Sequence, residues 1–148
     1  MKTLGRHLIA ELYDCDRARI DDVAVVERCL RAAAERVGAT VVAGAFHRYA
    51  PQGVSGTLLI AESHLSIHTW PEHGYVAADI FTCGGLDPRP GFVLLAEGLG
   101  ARAHRVQELV RGLLGDVAPG TAVMPSDVVV LEREVTASSA SPRAVKLG

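Results

Sequence analysis

The period of apolar and polar positions changes several times along this chain, and each change marks an element. Residues 6–13 are compatible with a β-strand. Asp21 and Asp22 then offer N-capping carboxylates ahead of Val23, Val26, Leu30, Ala33 and Val37, whose spacing lays one apolar stripe along a helix. Gly38 supplies the stop. Residues 40–49 and 54–61 are β-like runs around the turn residues Pro51, Gln52 and Gly53, which predicts a hairpin. Strict alternation follows over 64–70, with His64, Ser66, His68 and Trp70 on one face and Leu65 and Ile67 on the other. After a turn at 71–74, Val76, Ala78, Ile80 and Thr82 oppose Tyr75, Ala77, Asp79, Phe81 and Cys83. Apolar groups on both faces predict a sheet covered on both sides, by helices on one and by something else on the other, for which a second sheet would serve. Phe92, Leu95, Ala96 and Leu99 mark a second amphipathic helix ending near Gly98 or Gly100. Over 106–114 the apolar spacing fits a helix, while a strand would also serve the sheet. Residues 128–131 form a short strand candidate, and the Ser-, Ala- and Pro-rich stretch from 136 predicts a disordered tail after a single domain of 1–135.

Composition narrows the class of function. Hydrophobic residues make up 49% of the 148, enough to build a core. Lys and Arg (15) nearly cancel Asp and Glu (17) with no basic stripe, which argues against nucleic acid as a partner and for a small molecule. No apolar run approaches the roughly 20 residues that cross a bilayer, and the first residues lack the pattern of a signal peptide, so a cytoplasmic protein away from membranes is expected. Cys15, Cys29 and Cys83 are too widely spaced for a disulfide framework or a paired metal motif and are expected as thiols.

Reactive side chains concentrate in one window, ESHLSIHTWPEHGYVAADIFTCGG, residues 62–85. It holds His64, His68 and His73, the only tryptophan, Cys83, Ser63 and Ser66. Such groups are costly to bury unpaired, so their clustering points to a site. Each has a plainer reading: His64 and His68 as hydrogen-bonded strand histidines, Cys83 as a small buried hydrophobe, Trp70 and Tyr49 as core aromatics, Glu72 as a turn carboxylate. A zinc site built from the histidines and Cys83 matches no standard ligand spacing, so no metal is expected.

The window resembles the self-processing segment of the short bacterial and archaeal S-adenosylmethionine decarboxylases, and the likeness extends upstream through MKTLGRHLIAELYDCD and FHRYAPQGVSG. Glu-Ser, His, Trp-Pro-Glu and Phe-Thr-Cys-Gly in that order carry it. The resemblance implies cleavage between Glu62 and Ser63, which divides the chain into β (1–62) and α (63–148) and converts Ser63 into a pyruvoyl group, the catalytic cofactor. That carbonyl would form a Schiff base with the substrate amine and act as an electron sink when carbon dioxide leaves. The resemblance further implies that His68 is the proton acceptor in processing, assisted by Ser55, and that Cys83 is the proton donor to the substrate α-carbon. Trp70 and Tyr49 would stack on adenine, and Glu72 would hold the ribose hydroxyls. It implies an α+β fold, an antiparallel sheet with helices on one face, paired sheet to sheet in a homodimer as a four-layer αββα sandwich. The implied reaction is decarboxylation of S-adenosylmethionine to the aminopropyl donor for spermidine synthesis. Because the processing motif specifies the cofactor and not the pocket, ornithine or arginine stays open as substrate, as does a non-cleaving homologue. By parity Ser63 shares a face with Leu65 and Ile67 while His68 points the other way, so a bend at Glu62 and Ser63 is required.

Overall fold

The computed structural model describes residues 2–114. The strand at 128–131 and the tail from 136 lie outside the described residues. The elements run β1 (Lys2–Tyr13), α1 (Arg17–Ile20), α2 (Val23–Arg36), β2 (Thr40–Arg48), β3 (Val54–Ala61), β4 (Ser63–Trp70), a 3₁₀ turn (Pro71–His73), β5 (Tyr75–Cys83), α3 (Arg89–Gly98) and β6 (Ala103–Leu114). The six strands form one antiparallel sheet in the order β2-β3-β4-β5-β1-β6.

Local chemistry sets the helix ends. Asp22 caps α2 by accepting from the Ala24 and Val25 amides at 2.9 and 3.3 Å, and Gly38 follows the last turn with φ 80°. The short α1 was not anticipated; its cap is Asp16, which accepts from Ala18 and Arg19. Val26, Leu30, Ala33 and Ala34 of α2, with Phe92, Leu95 and Ala96 of α3, pack on the sheet face formed by Leu8, Leu12, Leu58, Leu65, Ile67, Val76 and Ile80. Full burial of each leucine or isoleucine here is worth about 1.5–3 kcal/mol. The helices cross closely because Gly91 carries no side chain: a Cβ there would lie 2.7 Å from the Ala33 carbonyl oxygen. Thr69, buried on the same side, bridges β3 to α1 by accepting from the Val54 amide at 2.8 Å and donating to the Ile20 carbonyl at 2.7 Å.

The stretch left open between helix and strand is the long edge strand β6, paired with β1 from Lys2↔Leu114 to Tyr13↔Ala103. A helix there would have left the outer edge of β1 without backbone partners. Glu108 faces the helices at 6% exposure, neutralised by Arg6 and Arg89. The other face of the sheet, expected to be covered, is bare among the described residues: Leu59, Trp70 and Tyr13 remain 53%, 39% and 36% exposed on it.

Candidate active site

The bare face carries His64, Ser66, His68, Trp70 and Cys83 of the window, and the strand order adds others. At one end, β3 and β4 join through a two-residue turn, Ala61 and Glu62, flanked by the pair Ile60↔Ser63; the Ala61–Glu62 peptide is cis. Ser63, first residue of β4, has φ 115°, a conformation that residues with a side chain rarely adopt. The irregularity demanded by the parity argument therefore falls at Ser63. On β5 its partner is Thr82, which donates to the Leu86 carbonyl at 2.9 Å, and the next residue is Cys83 on the bare face. Ser63 and Cys83 are both half-buried at this end.

The opposite end gathers the other expected residues. Ser55 pairs with His68, and Ser55 Oγ lies 2.8 Å from His68 Nδ1. The His68 ring contacts Trp70, whose ring lies 5.2 Å from that of its cross-strand partner Tyr75. On the other side of Ser55 sits His47, in edge contact with the half-exposed Tyr49 at 4.7 Å. Glu72, in the 3₁₀ turn just beyond Trp70, accepts a hydrogen bond from Gln52 at 3.1 Å on the wall of a depression of about 650 Å³. His47 was missed in the sequence because it is an ordinary polar position of an edge strand; only the β2–β3 register puts it in this row.

These two groups do not meet within one chain. Ser63 and His68 are five residues apart on β4, about 17 Å at the rise of an extended strand. Between them lies a third cluster. Asp79 Oδ2 accepts from His7 Nε2 at 2.8 Å and His64 Nε2 at 2.9 Å, and Ser66 Oγ donates to Asp79 Oδ1. Burial pushes the Asp79 carboxyl up, but the bonds from Ser66, His7 and His64 and the charge of His64 outweigh it and hold it below the usual carboxylate range. A carboxyl so lowered contributes stability that is fully present above the unfolded value near 4 and is lost as pH falls through the lower folded value. Thermal melts should show an acid decline below about pH 4 that Asp79→Asn flattens, with the variant less stable near pH 6.

His7, His64 and Asp79 are the one trio among the described residues placed to hold a metal ion. The hydrogen bonding opposes that use. Arg111 Nη1 donates to His7 Nδ1 at 2.9 Å, so the His7 ring proton sits on Nε2, where it serves Asp79 and blocks a metal. Sequence inspection did not connect His7, Asp79 and Arg111; the visible signal was a polar residue interrupting each apolar strand. The remaining thiols do not belong to the face. Cys15 is buried, with its thiol pushed up to about 12 by desolvation and then by Asp14, and burial raises Cys29 as well.

A strained serine stands at the exit of a tight hairpin on an antiparallel sheet backed by helices, and the relatives of the chain give the class of protein it belongs to, a pyruvoyl-dependent decarboxylase and carboxy-lyase. The model of the family described as S-adenosylmethionine decarboxylase matches residues 6–112, and the chain belongs to that family. Similar proteins bear the description S-adenosylmethionine decarboxylase proenzyme. That of Thermosipho africanus is 50% identical over 118 residues, covering 79% of this chain and 91% of that protein. Thermotoga maritima gives the same identity and coverage. The protein of Geobacillus kaustophilus is 49% identical over 113 residues, covering 76% and 91%. The crystal structure of the adenosylmethionine decarboxylase from Aquifex aeolicus superimposes with a TM-score of 0.73 at 33% identity, covering 80% of this chain and 98% of that one.

Proposed function

We propose that the protein decarboxylates S-adenosylmethionine, supplying the aminopropyl donor for spermidine synthesis, with a pyruvoyl group made from its own Ser63. Family membership separates this substrate from ornithine and arginine, and the description of the relatives as proenzymes argues against a non-cleaving homologue. The observation that carries the maturation step is Ser63 at φ 115° directly after Glu62 in a tight hairpin turn. Strain there is relieved when the peptide is cut. Ser63 Oγ attacks the Glu62 carbonyl carbon, the carbon–nitrogen bond breaks, and the acyl group passes to oxygen. Elimination of the ester leaves Glu62 as a new carboxyl terminus, and hydrolysis of the resulting dehydroalanine releases ammonia and gives the pyruvoyl carbonyl. That group supplies a sink for the electron pair left as carbon dioxide departs. Cys83 Sγ, on the bare face one residue beyond Thr82, the cross-strand partner of Ser63, delivers the proton to the substrate α-carbon.

The proton acceptor of the first step comes from a second copy. His68, backed by Ser55, lies about 17 Å along β4 from its own Ser63. The Asp79 cluster sits midway between the two groups. Two sheets packed face to face about a twofold axis near Asp79 would set the Ser63 and Cys83 of one chain against the Ser55 and His68 of the other. Such a homodimer of αβ units, a four-layer αββα sandwich, would also cover the exposed Leu59, Trp70 and Tyr13. The substrate nucleoside then binds the same partner surface, adenine on Trp70 or Tyr49 and the ribose hydroxyls on Glu72. No helix among the described residues is long and apolar enough to cross a membrane, in keeping with a cytoplasmic role.

Release of carbon dioxide from carboxyl-labelled S-adenosylmethionine, ornithine and arginine tests the reading. Turnover is expected with the first alone, and pretreatment with a hydrazine should abolish it. Turnover of either other amino acid at a comparable rate, or insensitivity to hydrazine, would contradict it.

A further inference from the structure

One side chain at the Ser63 and Cys83 end has no part in the chemistry above. Gly5 pairs with Cys83 on one side and Arg111 on the other, so Arg111, Gly5 and Cys83 form one row across β6, β1 and β5. No side chain intervenes. A Cβ on Gly5 would lie 2.8 Å from Phe81 Cε2, which places the Phe81 ring over the glycine, and the Arg111 guanidinium carbon lies 5.2 Å from the centre of that ring. Arg111 Nη1 is engaged with His7 Nδ1 at 2.9 Å. The guanidinium is thus fixed from two sides and turned back toward β5. Among the described residues Arg111 has no carboxylate partner; it is joined to His7 and Phe81. Its Nε and Nη2 edge, a fork that matches a carboxylate, has no hydrogen-bond partner among the described residues.

The substrate brings a carboxylate to this end. In an α-amino acid the carboxyl group is bonded to the carbon that bears the reacting amine and that receives the proton from Cys83. We propose that Arg111 is a substrate-binding residue that takes the α-carboxylate of the amino acid, with Phe81 and His7 holding the guanidinium in place. The inference rests on the decarboxylase reading and deepens it by naming the recognition element for the group that is lost. Face-to-face packing of two sheets would bury this cation, and a buried charge without a partner is strongly unfavourable. The incoming carboxylate supplies the partner, and its departure as carbon dioxide removes it again. The carboxylate ligand is therefore held more tightly at this point than the amine that replaces it.

Steady-state kinetics of the cleaved enzyme test this, with the decarboxylated amine product as competitive inhibitor. Arg111→Gln is expected to raise KM about 10- to 100-fold, the loss of one charge-assisted pair, with kcat changed only a few-fold. The inhibition constant of the amine should stay within about twofold, and Arg111→Lys should recover part of the affinity. A merely structural arginine would move both constants together. An unchanged KM, a parallel loss of amine affinity, or impaired chain cleavage in both variants would overturn the assignment and leave the guanidinium to the fold or to the cut end at Glu62. A wild-type chain that neither cleaves nor releases carbon dioxide would instead remove the decarboxylase reading itself, so the two failures are told apart.

Discussion

Ser63→Ala is expected to remain one uncleaved chain of 148 residues with no detectable decarboxylation, whereas the parent chain separates into two fragments, the larger blocked at its amino terminus. The reason is atomic. Alanine lacks the oxygen that attacks the Glu62 carbonyl and the leaving group on the β-carbon that elimination requires, so neither half of the maturation can start. The fold should survive, because the half-buried Ser63 is not part of the helix-covered core. Both residues carry a Cβ, so the exchange leaves the backbone at φ 115° as it was and removes only the hydroxyl. Intact mass spectrometry with circular dichroism checks both halves of the expectation. Two fragments from the alanine variant would mean that the cut is made elsewhere or by another nucleophile.

The second large effect comes from mixing two inactive proteins. His68→Ala is expected to fail in cleavage, as Ser63→Ala does, yet co-expression of the two variants should restore activity. If each site takes Ser63 from one chain and His68 from the other, every mixed dimer contains one intact site and one doubly deficient site. Random pairing makes half of all dimers mixed, so about a quarter of the wild-type activity should return. Only the chains carrying His68→Ala should be found cleaved. No recovery after verified mixing would place both groups in the same chain, which would require β4 to break between residues 63 and 68, since its regular pairing with β5 holds them about 17 Å apart.

Much of the molecule was legible from pattern alone because burial on one face imposes a period that side chains cannot hide. The alternation of β4 and β5 matched their burial position by position, with Leu65 and Ile67 inside and His64, Ser66 and His68 outside. The α2 stripe and its Asp22 cap were equally plain. The last strand resisted for a physical reason. In β6 the inward series includes Val106 and Glu108, and the outward one includes Leu109, so polarity does not follow side. Glu108 is tolerated inside only because Arg6 and Arg89 reach it from distant elements.

The site divides along the same line. The resemblance of residues 62–85 and of the stretch around Ser55 to the family's processing segment singled out Ser63, His68, Cys83 and Ser55, a hydroxyl, a base, an acid and a hydrogen-bonding partner. Their placement was beyond the sequence. Position along a strand gives a face, but only the β2-β3-β4-β5-β1-β6 pairing decides which residues are neighbours across it. That order joined His7 to Asp79 across 72 residues and Arg111 to His7 across 104. It also held Ser63 and His68 apart, although they are near neighbours in sequence. Local periodicity is set by short-range geometry and can be read one residue after another. Contact across a sheet depends on which strands pair and in what register, and those are properties of the whole packed chain.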